Sequence, residues 1–129
     1  MPELPEVETV RRGLADLLPG QAVVRATVFD SPKSFPNSPT DVQQFLYGAH
    51  VTAVRRRAKV LMIDLDTRYS LVIHLKMTGQ LIFRGANSFA GGHPNDSLIG
   101  ELPDRSTRVQ IDFTDGSRLF FNDQRKFGW

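Results

Sequence analysis

The apolar residues of this chain change their period once, at Pro19–Gly20, and that change limits the fold to a helix followed by sheet. Before it, Val7, Val10, Leu14, Leu17 and Leu18 recur at three- and four-residue steps, the spacing of one helix face turned to a core. Pro5 suits the first helical position, where a missing N–H costs nothing, and Glu6 and Glu8 fall in the first turn, beside the positive end of the helix dipole. Gly13 weakens the helix slightly, and the Pro19–Gly20 pair ends it.

After residue 20 the period is two. The stretch "AVVRATVFD" reads as a strand, and "SPKSFPNSP" as a proline-rich loop. "TDVQQFLYGA" suggests a short helix near 41–47 that ends at Gly48. "HVTAVRRRAKVLMIDL" predicts two strands or one long bent strand, and "SLVIHLKMTGQLIFR" another strand, interrupted by a turn near Thr78–Gly79. Residues 85–107, rich in glycine, proline and serine and without periodicity, predict a mobile loop. "RVQIDFTDGSRLFFND" is the clearest hairpin, alternating strands about a turn that includes Asp115–Gly116. The expected fold is mainly β with flanking helices: an antiparallel β-sandwich with an N-terminal α-helix and a short second helix. No internal repeat is visible.

With 129 residues, 40% of them apolar and 23% charged, the chain has the size and balance of one soluble domain able to bury a core. No apolar run approaches the roughly 20 residues that cross a bilayer, and the first residues are acidic where a signal peptide is basic. An intracellular, cytoplasmic protein is therefore expected. The chain has no cysteine, which excludes disulfides, thiolate metal sites and cysteine nucleophiles. His50, His74 and His93 lack metal-ligand spacing. Net charge is only +2, but the cations cluster: Arg11–Arg12, Arg55–Arg56–Arg57 with Lys59, and Arg125–Lys126. Such clusters serve either as solvated faces or as phosphate sites. The chain stops at "RKFGW", directly after a strand, as expected of a cut through a larger protein; a natural C-terminal strand is the alternative.

Two prolines and three glutamates occupy the first eight positions. Removal of Met1 would expose the secondary α-amine of Pro2, and an α-amine of pKa about 7.7–8.0 is partly neutral near pH 7. A neutral secondary amine can attack a sugar carbon and form an iminium, which must carry positive charge and so favours β-elimination. A nearby acid is needed to protonate the leaving group, and Glu3 and Glu6 are close in sequence. The same residues are equally a rigid entry to the helix. Composition does not choose between the two.

Four blocks do. "PELPEVETVRRGL" at 2–14, "RRRAK" ending at Lys59, "HLKMTGQL" at 74–81 and "NDQRKFGW" at 122–129 resemble, in order, the formamidopyrimidine-DNA glycosylase family (the Fpg or MutM enzymes, with endonuclease VIII as a relative). "ELPEVET" is more similar to the formamidopyrimidine branch than to endonuclease VIII. The resemblance implies an N-terminal catalytic domain over 1–129 of a base-excision repair glycosylase with abasic-site lyase activity, acting on 8-oxoguanine and formamidopyrimidines in duplex DNA. It implies Pro2 as the nucleophile, Glu3 as the acid that protonates the deoxyribose ring oxygen, Glu6 as a second active-site carboxylate and Lys59 at the lesion's backbone.

The family flips the damaged nucleotide out of the duplex, at a cost of a few kcal/mol in stacking and pairing. Met77, Arg125 and Phe127 match its void-filling side chains. Their chemistry suits that role, since Phe127 is a flat apolar wedge, Arg125 offers donors to the orphaned base, and Met77 packs into irregular space. Family members often carry a phosphate-binding histidine just before the penultimate strand. Here "DRSTRVQI" stands there, so Arg105 or Arg108 is the expected substitute. The family's second half, a helical domain with a cysteine-rich zinc finger, is not in this sequence, so no cofactor is expected in residues 1–129 and zinc is expected in that half. No membrane or protein partner is implied. The alternative function is a catalytically silent module that recognises damaged DNA.

Overall fold

The structure, a computed structural model, describes residues 4–29, 44, 46–67, 69–75, 79–92, 100–103 and 107–123. Helix α1 (Leu4–Leu17) is followed by strands β1 (Val23–Val28), β2 (Val51–Arg57), β3 (Val60–Leu65), β4 (Ser70–His74), β5 (Gly79–Arg84), β6 (Phe89–Gly92), β7 (Thr107–Phe113) and β8 (Arg118–Asp123). A five-stranded sheet runs β1-β7-β8-β5-β6 and a three-stranded sheet β2-β3-β4, every pairing antiparallel. This is the expected mainly-β architecture with its helix at the start.

Alternation along the strands builds the core. Val54, Leu61, Ile63 and Leu65 of the small sheet face Leu81, Phe83, Val109, Ile111, Phe113, Leu119 and Phe121 of the large one, in a single buried cluster. Helix α1 adds Val7, Val10 and Leu14 to it, and Leu18, just past the helix, joins them, while Leu17, also expected on this face, is only partly buried against the cluster. Gly13 has a reason to interrupt that helix: a Cβ there would run into the Phe89 ring of β6. One end of the sandwich is stitched by backbone bonds, Gly20 N–H to Val51 C=O (2.8 Å) and Val51 N–H to Gln21 C=O (2.9 Å), with a bridge between Ala22 and His50.

Two local expectations change. Residues 85–107 contain strand β6, which pairs with β5 from Gln80–Gly92 to Phe83–Phe89. Four residues ending in two glycines carry no readable period; backbone pairing and the Phe89 ring against α1 hold them. Downstream, the Gly100 carbonyl accepts from Arg84 Nη1 at 2.9 Å, so this part too is tied to the sheet. The stretch 70–84 is not one interrupted strand: β4 ends in the small sheet and β5 begins in the large one. Of the expected second helix, Gln44 and Leu46 are helical, while 41–43 and 45 lie outside the described residues. The choice left open over 50–65 resolves as two strands about a two-residue turn at Ala58–Lys59.

Candidate functional site

The cationic blocks that are far apart in sequence meet on one carboxylate. Glu8, in the second turn of α1, receives Arg11 Nη2 at 2.8 Å, Arg12 Nε at 2.9 Å and Arg56 Nε at 2.8 Å. The first two follow from helix spacing, which puts i+3 and i+4 beside i. The third crosses from β2, where Arg56 pairs with buried Leu61 at the helix-facing end of the strand. Arg56 also donates from Nη1 to the Ala58 carbonyl at 3.0 Å. A continuous path thus joins α1 to the turn that carries half-buried Lys59. Ala58 itself holds φ +52°, in the left-handed region that a Cβ disfavours.

Arg55 and Arg57 point to the opposite face. Arg55 Nη2 donates to Asp64 Oδ1 at 2.9 Å, and Ser70 Oγ donates to the same oxygen at 2.7 Å. The Arg11 hydrogen bond, then that of Arg56, holds the Glu8 carboxyl well below the usual carboxylate range. Arg55 does the same for Asp64 against the opposing effect of burial. Both acids therefore stay ionised, and both sit inside the cationic cluster. Three guanidiniums on Glu8 still leave a net cationic patch, with the Arg12 side chain 75% exposed. Such a patch suits phosphate.

The remaining candidates divide sharply. Glu6 is exposed in the first turn of α1, and Arg108 is only 4% exposed on β7. His74 is half-buried on β4. Pro2, Glu3, Arg105, Met77, Arg125 and Phe127 lie outside the described residues. Their points of departure are described: Pro2 and Glu3 lead directly into α1, Met77 lies between β4 and β5, and Arg125 and Phe127 follow β8. Strands β5 and β8 are neighbours, with Gly79 paired to Asp123, so the blocks holding Met77 and Arg125 start from adjacent strand ends.

Two groups are not evident from the sequence. The Glu8–Arg56 bridge has half a signal there, since Glu8 with Arg11 and Arg12 is readable on a helix. The other group is a buried polar row: Thr107 Oγ1 donates to Asn122 Oδ1 at 2.8 Å, and Asn122 Nδ2 donates to Gln80 Oε1 at 3.1 Å. Polar residues at alternate strand positions read as solvent-facing, and these are 2%, 0% and 1% exposed. Among the described residues no group of three or more His, Asp or Glu could hold a metal ion.

The likeness to known proteins extends over the whole chain. Residues 1–129 match the family model for the formamidopyrimidine-DNA glycosylase N-terminal domain. The formamidopyrimidine-DNA glycosylase of Jannaschia sp. (strain CCS1) is 44% identical over 130 residues, covering 99% of this chain and 43% of that protein. That of Chloroflexus aurantiacus is 41% identical over 128 residues, covering 99% and 41%. The Lactococcus lactis Fpg bound to a FAPY-dG-containing DNA superposes with a TM-score of 0.78 at 26% identity, covering 97% of this chain and 42% of that one. The same enzyme with an abasic-site-containing DNA gives 0.79 at 25% identity, covering 98% and 42%. The chain thus spans about two fifths of the length of the curated relatives it matches.

Proposed function

The chain belongs to the formamidopyrimidine-DNA glycosylase family, and on that premise we propose that it is the N-terminal catalytic domain of a bifunctional glycosylase and abasic-site lyase acting on oxidised purines in duplex DNA. Pro2, freed of Met1, attacks C1′ of the damaged nucleotide, and the bond from C1′ to the base breaks. Glu3 protonates the ring oxygen as the sugar opens, leaving an iminium between Pro2 nitrogen and C1′. Loss of a C2′ proton and cleavage of the C3′–O bond complete β-elimination, and a second elimination releases the 5′ phosphate. Glu6 supports the charge, and Lys59 contacts the lesion's phosphate. Met77, Arg125 and Phe127 fill the vacated space. Arg105 or Arg108 takes the remaining phosphate contact, and the burial of Arg108 on β7 predicts a smaller loss of DNA affinity on Arg108→Ala than on Lys59→Ala.

The observation that carries this reading is the Glu8–Arg56–Ala58 path. It ties the Lys59 turn to α1 only four residues from the helix start, about 6 Å along the axis at 1.5 Å per residue. Pro2 and Glu3 are the residues that lead into that start. The path supports a reading in which the nucleophile, its acid and the phosphate-binding lysine act together. The chain has no cysteine, no step of the proposed reaction uses a metal, and the zinc implied by the resemblance belongs to the family's second half. No described helix is long and apolar enough to cross a membrane, and we assign the protein to the cytoplasm, with the nucleoid. Residues 1–129 alone are expected to turn over poorly, because DNA affinity falls steeply as phosphate contacts are removed.

Borohydride trapping on abasic-site DNA tests the reading. The full-length protein without Met1 is expected to form a covalent adduct, and Pro2→Gly to lose it. Equal trapping by Pro2→Gly would overturn the nucleophile assignment. Binding of lesion DNA without any adduct, in protein whose free Pro2 is verified by N-terminal mass spectrometry, would favour the silent recognition module.

A further inference from the structure

The buried row Thr107–Asn122–Gln80 lies where the two void-filling blocks meet the sheet. Register puts Gln80 directly opposite Asn122 across β5 and β8, and Asn122 directly opposite Thr107 across β8 and β7. The three side chains therefore form one line perpendicular to three strands. Gln80 is three residues after Met77, and Asn122 is three before Arg125. On the same face, at the alternate positions, Ile82 and Phe120 are 0% and 1% exposed, so the row is sealed from water on the side away from the main core. A buried amide forfeits more when its partner is removed than an exposed one, because no water replaces the bond.

The backbone beside the row is equally constrained. Gly79 N–H donates to the Leu75 carbonyl at 2.8 Å, tying the start of β5 to the residue that follows β4. A Cβ on Gly79 would overlap that carbonyl, and a Cβ on Gly92, which holds φ +109°, would overlap the Gly79 carbonyl. Strand β6 is thus pressed against the start of β5, and Gln80, paired with Gly92, is the next residue along.

We propose that Gln80, Asn122 and Thr107 are positioning residues that lock the bases of the Met77 and Arg125–Phe127 segments into one unit, so that both enter the DNA together. The inference rests on the glycosylase reading. Without the row the two segments keep their side chains but lose their common mount, and the step that suffers is the filling of the duplex, not the chemistry at Pro2.

The experiment uses the full-length protein as wild type, Asn122→Leu, Thr107→Val, Met77→Ala and the Asn122→Leu/Met77→Ala double variant. Each is assayed for excision of 8-oxoguanine from a duplex and for borohydride trapping on a single-stranded abasic-site oligonucleotide, which has no opposite base and no void. Asn122→Leu is expected to slow duplex excision about ten-fold, the rate equivalent of about 1.4 kcal/mol, while trapping stays within about two-fold. Thr107→Val, close to isosteric, is expected to show the same split at about three-fold, and it decides the matter alone if Asn122→Leu does not fold. The double variant is expected to be no slower than its slower single, because both lose the same step. Equal losses in the two assays, no loss in either, or losses that multiply in the double variant overturn the proposal. Failure of the underlying reading has a different signature: the wild type itself then traps nothing.

Discussion

At the β2–β3 end of the molecule, Lys59 sits on a turn held by half-exposed ion pairs around Glu8; at the β5–β7–β8 end, a buried line of uncharged hydrogen bonds holds the strand ends. Ion pairs open to solvent are individually weak, screened by salt and able to exchange partners with a phosphate. A sealed amide row does none of these things. Under the proposed function, the first arrangement suits a patch that trades a carboxylate for DNA, and the second a mount that holds its shape while side chains enter the duplex. The two differ more in dielectric surroundings than in residue type.

The largest effect should come from the backbone under that mount. Gly92→Ala, with its positive φ and its overlap on Gly79, is expected to cost roughly 2–4 kcal/mol in urea unfolding. Gly48→Ala has a positive φ of +78° but open space around it, and should cost only about 1 kcal/mol. Equal costs would mean that close packing of β6 against Gly79 contributes nothing to stability.

Asn122→Leu should follow at about 1–3 kcal/mol, with the same loss at low and high salt. Glu8→Gln should destabilise in low salt and lose much of its effect at high salt, since its partners are exposed cations. A salt-independent Glu8→Gln would erase the contrast between the two ends.

Ala58→Gly should stabilise. Relief of the left-handed strain, about 1–2 kcal/mol, exceeds the extra unfolded-state freedom of glycine, about 0.4–1 kcal/mol. The smallest effect is in acid. Glu8 and Asp64 are held below the ordinary carboxylate range in the folded chain. Their contribution is therefore complete above about pH 5 to 6, and is lost as pH falls through the ordinary carboxylate range toward their folded values. The Glu8→Gln variant should show a flatter acid limb than the wild type in unfolding measured between neutral pH and about pH 3.

Much of this can be read along the chain. Helix α1 and the β7–β8 hairpin are legible because a 3.6-residue period, a proline entry and an Asp–Gly turn act locally. Strand β6 is not, because Phe89–Gly92 owes its state to β5 and to the room Gly13 leaves on α1. The site divides the same way. Glu8 with Arg11 and Arg12 is written in helical spacing, whereas Glu8 with Arg56 requires the β2 strand to lie against the helix.

By itself, then, the sequence determined the helix, the alternating strands, the hairpin turn, and the order of the blocks that hold Pro2, Glu3 and Lys59. Only the tertiary structure decided which sheet receives β4 and which β5, that Glu8 and Asp64 lie inside the cationic cluster, and that Gln80, Asn122 and Thr107 are buried. The reason is range. Dihedral preference and periodicity act over a few residues, but burial is set by whatever packs over a face, and nothing in the alternation of β5 or β8 says that their polar side is covered as well.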